Sequence, residues 1–172
     1  MPTGWISLAT DYLRTTLSQS AKFQSFVGVA TAVLALDHIY IDGFPAPSGG
    51  RWTLTQLQTA ARPFALISVA SQGYQSDPVA GAGPGQDRDR RMQFHVRLER
   101  DVAAIDEDDP DAIFFIIGDL WGGIIGDLEQ LSGTGGLANI EHVQAPPWTR
   151  THRNEETGVG DAVSIELILD VA

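Results

Sequence analysis

Residues 64–102 read FALISVASQGYQSDPVAGAGPGQDRDRRMQFHVRLERDV, and this stretch decides the fold because it holds two strands and the long connection between them. Phe64–Ser71 is almost continuously apolar, which is typical of a central strand buried on both faces. Apolar and polar residues alternate over Met92–Val102, a pattern that predicts a half-exposed strand. The residues between them, Gly73–Arg91, are rich in Gly, Pro and Asp. They are predicted to form a loop of a length that is usually functional or disordered.

Helical periodicity predicts one helix near the start of the chain and a longer one after the second strand. Apolar residues of the first recur on one helix face, at positions 5, 8, 9, 12, 13 and 17. The second, Ala112–Leu131, carries a broad apolar stripe. It also carries a row of small residues at a spacing of four, which would let a neighbouring backbone approach closely: Gly118, Gly122 and Gly126.

Shorter elements complete the predicted order. Ala21–Phe26 is a short helix ending at Gly28, and another begins near Thr53 and ends before Pro63. Strands are predicted at Ile140–Ala145 and over the alternating residues 163–171, with a polar loop between them. Residues 1–172 are therefore expected to form a single α+β domain, with helices on one face of a mostly antiparallel sheet and the long loop between two central strands.

Composition bounds the function classes. The chain has 172 residues, 43% of them hydrophobic, which is enough for one packed core. Its formal net charge is −11, which is unsuited to general nucleic-acid binding because phosphates require Lys and Arg. There is no Cys, so disulfides, thiolate metal sites and Cys nucleophiles are excluded. The first residues lack the pattern of a signal peptide, and no stretch is long and apolar enough for a membrane span. We therefore expect a protein made and retained in a cytoplasm.

Motifs for catalysis or cofactor binding are weak. A G-x-G-x-G run at Gly81–Gly85 is followed by charged residues and a strand, whereas a dinucleotide site requires it to open a helix. The acidic residues 106–111 fit a helix N-terminus better than a calcium loop. No two of the four histidines are four residues apart, so no local zinc site is indicated. Triads are assembled in space, which leaves a Ser–His–Asp set open, but no G-x-S-x-G motif supports one. We expect no catalytic residue, metal or cofactor.

Arginines are concentrated on one side of the long loop. Five of the eleven cationic residues of the chain fall within thirteen positions: Arg88, Arg90, Arg91, Arg97 and Arg100. They could be the solvated edge of a hairpin, where charge discourages edge pairing. Alternatively, they could contact an acidic partner, including another copy of this acidic chain, in a head-to-tail ring. A second polar segment, before the last strand, is either a solvated loop or another intersubunit patch. The candidate contact residues are Asp77, Arg88, Arg90, Arg91, Arg97, Arg100, Arg150, Arg153, Glu155 and Glu156.

Four segments, in this order, resemble the tail terminator (tail completion) proteins of long-tailed bacteriophages. They are LATDYLRTTLSQSAKFQSFVGV (8–29), PFALISVASQG (63–73), MQFHVRLERDV (92–102) and IEHVQAPPWTRTHRNEETGVGDAVSIELILDVA (140–172). The resemblance covers most of the chain, in element order and length, although the long loop is larger and richer in Gly and Pro than in a minimal family member. It implies a small α+β subunit without catalytic residues, whose interaction surfaces correspond to Gly73–Arg91 and Arg150–Glu156.

The resemblance further implies a homohexameric ring in the virion, at the junction of tail and neck, assembled in the host cytoplasm. Such a ring stops the polymerisation of the tail tube protein and offers a surface to the neck proteins, while DNA passes through its lumen without specific binding. A neck or head–tail connector protein is the alternative on the same scale. A small hydrolase or ligand-binding domain, with Gly73–Arg91 as a lid over a polar pocket, is a third reading.

Overall fold

The computed structural model describes residues 5–42, 53–78, 88–101, 110–131, 140–144, 149–151 and 162–171. These residues form helices and one mixed sheet, which confirms the predicted α+β class. The elements are α1 (Trp5–Gln19), α2 (Ala21–Val27), α3 (Ala32–Leu36), β1 (Ile39–Ile41), α4 (Leu54–Ala60), β2 (Phe64–Pro78), β3 (Arg88–Asp101), α5 (Pro110–Leu131), β4 (Ile140–Gln144), β5 (Thr149–Thr151) and β6 (Ala162–Val171).

The sheet has six strands, with β3 at its centre. The strand order is β1-β2-β3-β6-β4, and β5 pairs with another part of β6. β1 runs parallel to β2, and every other pairing in the described chain is antiparallel. β3 pairs with β6 without interruption from Met92 opposite Val171 to Asp101 opposite Ala162. This long register fixes which face each residue of β3 occupies.

The hydrophobic core lies between one face of the sheet and helices α1, α2, α3 and α5. Alternate residues of β3 point into it, as the sequence pattern predicts, because successive side chains of a strand point to opposite faces. The fully buried core side chains of the strands and helices include Phe94, Val96, Leu98, Leu167, Leu169, Leu13, Leu17, Phe23, Ile124 and Leu128.

The end of α1, the start of α2 and the C-terminal part of α5 are held together by polar contacts. The Ser20 hydroxyl accepts a hydrogen bond from the Phe23 amide at 3.0 Å and donates one to Oδ2 of Asp127 at 2.7 Å. The same Asp127 oxygen accepts a bond from the backbone amide of Lys22 at 3.1 Å. A carboxylate on α5 therefore caps α2, since the first amides of a helix lack partners within it.

The predicted row of small residues on α5 does not mark the close contact. No described atom lies within 4 Å of a Cβ placed at Gly118, Gly122 or Gly126. A Cβ at Gly123 would instead lie 2.6 Å from Cγ of Lys22, so this glycine admits the Lys22 side chain. The prediction was wrong by one position because the face of α5 that meets α2 passes through Gly123.

The prediction of an unstructured Gly73–Arg91 loop was wrong at both ends. β2 continues to Pro78 and β3 begins at Arg88, with Asp77 opposite Asp89 in the register. Between Val69 and Tyr74 the register of β2 shifts, which marks a bulge. The strands extend because backbone hydrogen bonds between neighbours do not require an apolar pattern. The predicted polar loop before the last strand likewise holds β5 at Thr149–Thr151.

Candidate interaction surface

A buried carboxylate lies where the sequence pattern predicts a half-exposed polar face. Glu99 of β3 is fully buried, and each of its oxygens accepts two hydrogen bonds. Oε1 accepts from Nε of Arg97 at 2.6 Å and from Nε2 of Gln58 at 2.8 Å. Oε2 accepts from Nη2 of Arg62 at 3.1 Å and from its Nε at 3.2 Å. Buried charges in proteins are expected to be paired and hydrogen-bonded, as this one is.

The contacts of Glu99 come from elements that are far apart in the sequence. Gln58 lies on α4, whose start is fixed by a capping box between Thr53 and Gln56. Arg62 follows the end of α4, and its side chain is only 3% exposed. Glu99 occupies the face of β3 opposite the core residues Val96 and Leu98. The short α4 therefore adds a polar contact on the second face of the sheet.

Arg97 was predicted to be a contact residue for a partner, and in the structure it binds a carboxylate of its own chain. Its guanidinium is bound to the buried Glu99 within the same chain and is 28% exposed. The residues lie two positions apart on one strand, so their side chains share a face. Arg97 therefore stabilises the buried carboxylate of its own chain, and its contact with a partner stays a prediction.

Arg100 lies in a different environment from Arg97. It lines a cleft of about 180 Å³ together with Phe26, Val27, Gly28, Pro63 and Asp101. Among the described residues, none makes a hydrogen bond or ion pair with its guanidinium. Asp101, its neighbour, is instead bound to Nη1 of Arg62 at 3.1 Å. Arg100 thus remains a candidate contact residue, as the sequence predicts.

The remaining arginines of the cluster lie on a projecting two-stranded arm, formed by residues 74–78 of β2 and 88–91 of β3. The pairing of β6 with β3 stops at Met92, and that of β1 with β2 stops at Ile67. The backbone of the arm therefore pairs only with itself within the described chain. Four of the predicted contact residues lie on it: Asp77, Arg88, Arg90 and Arg91.

The second predicted patch is only partly described. Arg150 lies on β5, opposite Val163 of β6. Arg153, Glu155 and Glu156 lie outside the described residues. The structure therefore attaches the start of this patch to the sheet, on the opposite side of β3 from β2.

Other candidates for chemistry give no assembled site. Nδ1 of His38 lies 2.8 Å from the carbonyl oxygen of Pro63, so this ring has a structural partner. Within the described ranges, no group of three His, Asp or Glu side chains is placed to hold a metal ion. The acidic residues 106–109 lie outside the described ranges. No helix in the described part of the chain is long and apolar enough to cross a membrane.

Tyr40 is the one described group whose ionisation is clearly perturbed. Burial raises the pKa of its hydroxyl above the ordinary value of 10.0, and the negative charge of Asp37 raises it further. Its ring packs edge-to-face on Phe64, with centroids 6.3 Å apart. This residue supports the structure near β1 and stays protonated at neutral pH.

The network around Glu99 was missed at the sequence level. A charged residue in an alternating strand normally faces solvent, and nothing in the local pattern sets Glu99 apart from its neighbours. The only signal in the sequence was indirect: a cation, Arg62, stands shortly after α4 and just before the buried strand β2, where it needs a carboxylate partner. No protein-family model matches this chain, and no curated protein matches it significantly.

Proposed function

We propose that this chain is a structural subunit of a phage tail, a tail terminator that forms a homohexameric ring on the last ring of the tail tube. In this role it stops the polymerisation of the tube protein and presents a surface to the neck proteins. It has no enzymatic activity and holds no cofactor. Its place is the virion, at the tail–neck junction, after assembly in the host cytoplasm.

The observation that carries this proposal is the projecting arm. A hairpin of two strands alone is marginally stable in water, and like charges directly opposite each other destabilise it further. This arm places Asp77 opposite Asp89 and has no neighbouring strand in the described chain. A second protein surface would supply the missing neighbour, and an acidic one would complement Arg88, Arg90 and Arg91.

At the base of the arm β3 has a neighbouring strand on each side, which suits an element that must present its charges in a fixed direction. From Phe94 to Glu99, β3 pairs with both β2 and β6, and Glu99 binds Gln58 of α4 and Arg62 just after it. A preorganised element loses less conformational entropy on binding. The net charge of −11 further suits a subunit whose lumen lets DNA pass, because carboxylates repel phosphates.

The decisive test is polymerisation of the tail tube protein encoded in the same genome, with tube lengths measured by electron microscopy. We expect the wild-type chain to shorten the tubes and to add a ring at one end. Replacing Arg88, Arg90 and Arg91 together with Ser should abolish this effect while leaving the circular dichroism spectrum unchanged, because substitutions near a loop tip are usually tolerated.

Lys22→Ser is the matched control, since Lys22 is an exposed cation off the arm that pairs with Asp119. It should cap tubes normally. Tube lengths that ignore the wild-type chain would contradict the terminator function, and binding to portal or adaptor rings instead would favour a neck protein. A triple variant that caps as well as wild type would refute the role of the arm.

A further inference from the structure

Two described surfaces of this chain, the Arg100 cleft and the tip of α3, are complementary in charge and in hydrophobicity. The Arg100 cleft is the space lined by Phe26, Val27, Gly28, Pro63, Arg100 and Asp101. The α3 tip consists of Val33 and Leu34, which belong to the short helix α3, and Asp37, its C-cap.

The Arg100 cleft combines an apolar floor with a cation that lacks a described partner. Phe26 and Val27 are buried beneath it, and Gly28, at a φ of 76°, adds no side chain to its mouth. A cavity of about 150 Å³ admits a benzene-sized group, so about 180 Å³ has room for one large aliphatic side chain.

The cation that lines the cleft is opposite in sign to the net charge of the whole chain. The two carboxylates of the cleft and its adjoining network, Glu99 and Asp101, already have cationic partners. Glu99 and Asp101 are both bound by Arg62. Arg100, which has no partner among the described residues, is therefore available to a carboxylate from outside.

The α3 tip presents the matching groups. Val33 is 74% exposed and Leu34 50%, which is unusual for large aliphatic side chains that lie next to each other. Asp37, at the C-cap of α3, is also exposed. One short helix thus offers an apolar side chain and a carboxylate within one turn.

We propose that the α3 tip of one copy docks into the Arg100 cleft of a second copy, with Asp37 on Arg100 and Leu34 or Val33 over the apolar floor. A second copy is the partner because the same chain carries both halves of the contact. This contact would be an interface between neighbouring subunits of the proposed ring. The inference rests on the proposed function only for the number of copies that assemble.

A charge-swap experiment tests the contact, with self-association measured by sedimentation. Arg100→Asp and Asp37→Arg should each weaken association by about ten-fold or more, because each brings like charges together. An equimolar mixture of the two variants should recover it, since every contact between unlike copies is again of opposite charge. Val33→Ser should weaken association without altering charge.

Asp11→Arg is the control for Asp37→Arg, because Asp11 is an exposed carboxylate on α1, away from the α3 tip. It should associate like wild type. Single variants that associate as tightly as wild type would overturn the inference, as would a mixture that fails to recover.

The tube assay separates this inference from the proposed function. Arg100→Asp rings that cap tubes normally would overturn the inference and leave the terminator function standing. A wild-type chain that self-associates through this pair and yet ignores the tube would support the inference and contradict the function.

Discussion

Replacing Glu99 with Ala should strongly destabilise the fold, because the change leaves two arginines without the charge that holds them. Glu99 is fully buried, and the side chain of Arg62 is only 3% exposed. With the carboxylate gone, Arg62 retains Asp101, which is 53% exposed and binds a single nitrogen. Arg97 is 28% exposed and can reach water more easily.

The expected loss follows from the geometry. Four hydrogen bonds converge on Glu99, three of them from guanidinium nitrogens. Removing one partner of a buried ion pair typically costs about 3–5 kcal/mol, because the other charge stays buried and unpaired. For a domain of this size each kcal/mol lowers the melting temperature by about 2–4 °C, so the expected decrease is about 6–20 °C. That is a large part of a total stability of about 5–15 kcal/mol.

Urea unfolding, followed by tryptophan fluorescence, measures the loss directly. Asp101→Ala is the matched control, and it should cost no more than about 1 kcal/mol because its carboxylate is 53% exposed and Arg62 keeps Glu99. The double variant Arg62→Leu with Glu99→Leu should recover most of the loss, since it removes both buried charges. The reasoning would be refuted if Glu99→Ala lay within 1 kcal/mol of Asp101→Ala.

Two further predictions concern the polar contacts that hold helices and β1. Asp127→Ala removes the acceptor for Ser20 and for the Lys22 amide, so urea unfolding should show a loss of about 1–2 kcal/mol; no change would mean that the cap does not stabilise α2. Tyr40 has a raised pKa, so the stability it contributes is complete below pH 10 and is lost as the pH rises through its folded pKa. Unfolding between pH 9 and 11 should therefore show a steeper loss for wild type than for Tyr40→Phe, and parallel curves would contradict the burial of this hydroxyl.

Local patterns were sufficient to predict the main elements of the fold. The helical spacing of Leu13 and Leu17 and the alternation along β3 both report a one-sided core, and both are confirmed by burial. Gly28 ends α2 with a positive φ, and Thr53 begins α4, because these positions require particular local chemistry. Such signals depend on a few neighbouring residues, so they are legible in a single sequence.

The features that were missed depend on residues far apart in the chain. Glu99 is buried by α4, which lies about forty residues earlier in the sequence. The alternation of residues within β3 does not reveal that α4 covers this face. The bond between Arg97 and Glu99 was missed for the same reason, because it is revealed only when Glu99 is enclosed. The arm extends through polar and charged residues because β2 and β3 pair through their backbones, which composition does not record.

The candidate interaction surface was predicted as one cluster of arginines, and the structure places its members in different environments. Arg97 is bound to Glu99, Arg100 lines the cleft, and residues 88–91 lie on the arm. Spacing along one strand could not separate them, because each residue meets a different element beside β3. The exposed α3 tip was not predicted as a surface, because the exposure of Val33 and Leu34 depends on which elements pack around α3.

The mass of the purified protein, measured by light scattering alone and with the tail tube protein, tests the central claim most directly. A structural ring subunit should give about six times the 18.5 kDa of one chain, or a single chain that becomes a ring when the tube is present. A single chain that stays monomeric and leaves the tube unbound at all concentrations would contradict the proposed function.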